Sequence, residues 1–87
     1  SKNAILSAYP NPFNSKTQII YTLPSKSNVR VEIYNILGQH IETLIDSKQA
    51  SGEHSITWDA SAYSSGIYFY ELTAGDETMV KRMLLLK

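Results

Sequence analysis

Cysteine is absent from this 87-residue chain, neither sign of charge is in excess, and no apolar run is long. Without cysteine no disulfide braces the fold, so packing alone must hold it. Eight basic residues balance eight acidic ones, which speaks against a nucleic-acid binder with its one-sided basic surface. No stretch approaches the roughly 20 apolar residues of a transmembrane segment. The chain starts at Ser1 with neither methionine nor a signal-peptide pattern, as expected of a piece cut from a longer protein. Glycine and proline are scarce as well, at four and three. Two of those prolines nevertheless stand together in "AYPNPFNSKTQ", residues 8–18.

What is present points to strands. A chain this short buries only roughly 60–65% of its extended surface, so its six tyrosines, two phenylalanines and one tryptophan carry much of the core. "NVRVEIYNI" puts Val29, Val31 and Ile33 on one face and Arg30, Glu32 and Tyr34 on the other, the alternation of a half-buried strand. Ile19, Tyr21 and Leu23 alternate in the same way, as do Ile56 and Trp58, then Tyr68, Tyr70 and Leu72. Turn signals separate these runs at Pro24–Asn28, Leu37–Gln39, Ala50–Gly52, Ser64–Gly66 and Ala74–Asp76. In "ILGQHIETLI", Ile41, Leu44 and Ile45 fit helical spacing, but Gly38 and the β-rich neighbours predict a strand beginning near His40. About seven short strands and no helix make an all-β antiparallel sandwich in a single domain, residues 1–87, with 1–8 as linker or expression remnant.

The proline stretch reads as a rigid corner. Each proline holds its predecessor extended and has no N–H to donate, so the segment can join a sheet only at an edge. Phe13 is expected to drop into the core, and Asn14 to begin a turn with Ser15 and Lys16. The corner would then cover an open sheet edge.

Catalytic and metal chemistry find little support. Neither His40 nor His54 has a carboxylate or second histidine at metal-ligand spacing, and both read as surface strand residues. Glu53 beside His54 lacks a third member, and the serines lack a GxSxG context. Asp59 is expected to turn back on its own backbone, and Asp76 and Glu77 fall in a hairpin turn, where a calcium site is a remote alternative. No catalytic residue, metal or cofactor is expected. Tyr34, Tyr63, Tyr68, Phe69 and Tyr70 raise a carbohydrate-stacking alternative, but alternation sends them to different faces and the core needs most of them.

The C-terminus is chemically distinct. "VKRMLLLK" carries Lys81, Arg82 and Lys87 with no acid, whereas the first 80 residues hold five basic and eight acidic groups. Met83 to Leu86 are apolar in a row, which suits a strand covered on both faces or an edge strand that pairs with a partner, including a dimer through that edge.

"YPNPFNSKTQIIYTLP", "VRVEIYNILGQHIETLI", "GEHSITWD", "SSGIYFYELTAGD" and "VKRMLLLK" follow one another in an order that resembles the type A C-terminal sorting domain of the type IX secretion system of Bacteroidetes and related phyla. More loosely, the chain resembles the Ig-like domain of flagellar hook-capping proteins. The resemblance implies an Ig-like sandwich at the end of a larger exported cargo protein, which would lie N-terminal to it. It implies passage through the periplasm, recognition by the outer-membrane translocon, and removal by a surface sortase, leaving cargo on the cell surface or in the medium. The family's motif positions fall on Pro10, Asn11, Pro12 and Phe13, on Gly66, Ile67 and Tyr68, and on Lys81, Leu85 and Lys87. Cleavage would be expected near Ser1 to Ser7. A structural spacer of the hook-cap type is the competing reading.

Overall fold

The computed structural model describes residues 3–87. Seven strands follow in order: β1 (Ile5–Tyr9), β2 (Lys16–Leu23), β3 (Ser27–Tyr34), β4 (His40–Gln49), β5 (Gly52–Asp59), β6 (Gly66–Ala74) and β7 (Glu77–Leu85). They form two antiparallel sheets, one in the order β1-β2-β5 and the other in the order β4-β3-β6-β7. This is the expected Ig-like sandwich of three strands on four. Residues 5–8, read from the sequence as linker, belong to edge strand β1, whose Leu6 is fully buried. Ser1 and Lys2, part of the expected cleavage region, lie outside the described residues.

Alternation fixes the core. Ile19, Tyr21 and Leu23 from β2 face Val29, Val31 and Ile33 from β3 and Tyr68, Tyr70 and Leu72 from β6. Trp58 on β5 is 1% exposed, with ring centroids 5.9 Å from Phe13, 5.6 Å from Tyr63 and 5.5 Å from Tyr68. Its Nε1–H donates to Glu42 Oε1 at 2.9 Å, so the buried indole has its partner. The β6–β7 hairpin turns on two residues, with Gly75 at φ +64° in the first position, where a type II′ turn requires it.

Strand β4 explains its helix-like spacing. Val31 pairs with Ile45 and Glu32 with Thr43, skipping Leu44; Ile33 pairs with Glu42 and Tyr34 with His40, skipping Ile41. Each skipped residue is a bulge that shifts side-chain parity by one. Ile41, Leu44 and Ile45 can therefore all pack toward the core from a strand. The same shift turns Glu42 inward to meet Trp58 and the Tyr63 hydroxyl. Two bulges and an inward carboxylate also make β4 a poor template for edge-to-edge pairing.

Trp58→Ala removes the centre of this ring cluster and should cost about 3–5 kcal/mol, read from denaturant unfolding. A loss below about 1 kcal/mol would place the indole outside the core. Burial also pushes the phenols of Tyr21, Tyr34, Tyr63 and Tyr70 above their ordinary value. Unfolded tyrosines ionise near pH 10 or so, while these remain neutral in the folded state. The stability they contribute is complete below that pH and is lost as pH rises through their raised folded values. Melting temperatures should thus hold flat through neutral pH and fall steeply above about 10, with these four phenols ionising together with unfolding. Ionisation of these four phenols, followed residue by residue, well before any loss of structure would contradict the burial account.

Candidate functional site

Residues from the two ends of the chain meet at one edge of the four-stranded sheet. After β1, the chain makes its corner at Pro10 and Pro12, with both Tyr9–Pro10 and Asn11–Pro12 bonds cis. Thr17, the single buried polar residue among those described, donates its hydroxyl to the Pro10 carbonyl at 2.7 Å. That bond anchors the corner to the start of β2. Thr17 was legible in principle, because the inward series Leu23, Tyr21, Ile19 continues back to it at a spacing of two.

The corner then lies along β7. Asn11 Nδ2 donates to the Arg82 carbonyl at 3.3 Å, and Asn11 Oδ1 accepts the Leu84 N–H at 3.0 Å. Two residues on, the Phe13 N–H donates to the Leu84 carbonyl at 3.0 Å, and the Phe13 carbonyl accepts the Leu86 N–H at 2.8 Å. The Asn11 amide thus stands in for a strand backbone, and Phe13 forms a true parallel bridge to Leu85. Phe13 itself is buried at 3% exposure, as expected from the sequence. The last strand is therefore an edge strand of its sheet, and the proline corner covers its C-terminal half.

The motif residues divide between inside and outside. Phe13, Tyr68 and Leu85 are buried, and the Tyr68 hydroxyl donates to the Ser64 carbonyl at 2.7 Å. Gly66 opens β6 opposite Leu85 at φ +151°, a conformation that L side chains rarely adopt. Pro10, Asn11, Pro12, Lys81 and Lys87 are exposed, and Ile67 is half-buried on the outer face opposite Leu84. Lys87 is held at this end of the sandwich: its N–H donates to Ser65 Oγ at 2.9 Å, and its ammonium donates to the Ser61 carbonyl. Lys81 stands apart, midway along β7 opposite Tyr70. A shallow groove of about 390 Å³ runs between the corner and the sheet, lined by Asn11, Pro12, Ile67, Arg82, Met83 and Leu84. Arg82 and Leu84 carry no motif assignment, since nothing in the sequence says which residues of β7 will face the corner.

Other candidates resolve into structure. His54 stacks on Tyr21 at 5.3 Å and hydrogen-bonds the Ala50 carbonyl, and exposed His40 lies 3.3 Å from Glu32. Asp59 turns back as expected. The Ser61 hydroxyl and N–H both donate to it and hold its carboxyl below the usual range, with Lys16 and Lys87 adding in the same direction. Among the described residues, no group of three acidic or histidine side chains gathers to hold a metal. Tyr68 and Tyr70 are buried, Tyr63 in the loop between β5 and β6 packs against the core, and only half-buried Tyr34 and Phe69 are paired on the outer face, so these five do not form a stacking platform.

Comparison with known proteins bears on the fold and the family. In fold, the chain is similar to one part of dimeric latent PorU from Porphyromonas gingivalis: the TM-score is 0.74 at 23% identity, over 95% of this chain and 9% of that one. This chain therefore spans less than a tenth of that protein's length. No curated protein matches it. The model of the secretion system C-terminal sorting domain matches residues 7–86, from the strand before the proline corner to the end of the covered edge. A match over nearly the whole chain settles the family: the chain belongs to the secretion system C-terminal sorting domains, the signals that direct cargo proteins across the outer membrane by type IX secretion.

Proposed function

We propose that the proline corner and the C-terminal half of β7 together form the surface that the outer-membrane translocon reads. The observation that carries this is the hydrogen bonding of Asn11 and Phe13 to β7, which makes one rigid surface from motifs some 70 residues apart. Rigidity lowers the ordering cost of recognition. In this reading Pro10, Asn11, Pro12, Ile67, Lys81 and Lys87 touch the receptor, while Phe13, Gly66, Tyr68 and Leu85 hold the surface in shape. The cargo lies N-terminal to the domain in the parent chain. A surface sortase removes the domain near its N-terminal end, and the cargo stays on the cell surface or passes into the medium.

Deleting the tail wholesale would not test this, because Met83 and Leu85 are core residues. Point changes on the exposed groove would. Residues 1–87 are fused behind a Sec signal and a reporter in a host with a working type IX system, beside a variant carrying Pro12→Glu and Ile67→Glu. The expected result is reporter outside the cell for the native domain and in the periplasm for a variant that still folds. Export of both to the same extent would remove this groove from recognition. Retention of both, with a control domain exporting normally, would remove the sorting role itself.

A further inference from the structure

The proline corner covers only part of the β7 edge. Alternate residues of an antiparallel strand direct their N–H and C=O groups to opposite sides. Leu84 and Leu86 bond outward to Asn11 and Phe13, so the even-numbered residues of β7 face away from β6. Thr78, Val80 and the N–H of Arg82 therefore face outward too, and among the described residues no backbone partner meets them. Asn11 takes the Arg82 carbonyl and closes the ladder there. What remains is a short, open strand edge with a defined end.

We propose that Thr78–Arg82 is a β-augmentation site for an extended segment of another protein that places an acidic residue opposite Lys81 and an apolar one opposite Val80. Val80 is 55% exposed and shares an open hollow with Phe69, Lys81 and Arg82, giving an apolar patch on the outer face. Lys81 is directed to the same face as Met79 and Met83 yet remains exposed. Neither Lys81 nor Arg82 has an ion-pair partner among the described residues. An inward lysine on a free edge rejects an indiscriminate strand, and a carboxylate opposite it converts that rejection into selection. A second copy fits less well, since pairing two β7 edges here gathers the Lys81 and Arg82 cations of both copies. The proposal rests on the sorting reading only in taking a protein as the partner.

The test is an amide NMR titration of the 87-residue domain with two capped heptapeptides, one alternating valine with glutamate and the other valine with lysine. The glutamate peptide should shift the Thr78, Val80 and Arg82 amides and bind roughly tenfold more tightly than the lysine peptide. Val80→Pro removes an outward N–H without touching the ladder to β6, so it should keep the fold and lose the peptide. Lys81→Glu should reverse the preference between the peptides. No shifts with either peptide, equal binding of both, or shifts centred elsewhere would overturn the proposal. So would peptide-independent shifts of the same amides with doubled mass in solution, which would make a second copy the occupant. Export of the native fusion without peptide binding leaves sorting standing and ends this inference, whereas peptide binding by a domain that fails to export does the reverse.

Discussion

Four hydrogen bonds between the Asn11–Phe13 segment and the edge of β7 tie the beginning of the chain to its end. Each is worth about 0.5–1.5 kcal/mol net, so together they are a sizeable share of a small domain's stability of about 5–15 kcal/mol. Their larger consequence is geometric. They seat the Phe13 ring against Trp58 and close the sandwich where β1 leaves one sheet and the corner meets the other. Lys87 adds to the closure by bonding Ser61 and Ser65 in the loop between β5 and β6. A domain without disulfides is held at both termini by backbone-directed contacts.

This arrangement makes the family's motif intelligible. The residues that resemble a sorting signal are not all surface features. Phe13, Tyr68 and Leu85 are core, and Gly66 is set by its backbone conformation. They present the exposed Asn11, Pro12 and Lys87, and half-buried Ile67, in fixed relation to one another. On the proposed reading, a receptor would meet both ends of the domain at once at this surface, which a chain whose last strand is missing or unfolded does not offer. The proposal thus makes the sorting signal a folded object rather than a linear tag.

Much of the fold was legible because strand alternation is local. The inward faces of β2, β3 and β6, the burial of Phe13 and Trp58, and the turn at Asp59 all follow from residues within a few positions of one another. Strand β4 was ambiguous because its two bulges reset parity, and their positions depend on pairing with β3 rather than on β4 itself. The site was less legible. Proline chemistry pointed to an edge, but which strand lay there, and that Asn11 would imitate a backbone amide across more than 70 residues, depends on tertiary closure. The sequence also left open whether β7 was covered or free. It is both: covered from Arg82 to Leu86, and open from Thr78 toward Arg82.

Hydrogen exchange at β7 tests that division most directly, because Val80 and Leu84 both direct their amides away from β6. Leu84 donates to Asn11 and Val80 to no protein group among those described. The account predicts strong protection at Leu84 and Leu86 and exchange at Val80 and Arg82 that is faster by orders of magnitude. Similar exchange at all four amides would mean that the proline corner does not hold the last strand, and the shared surface built from the two ends of the chain would fall with it.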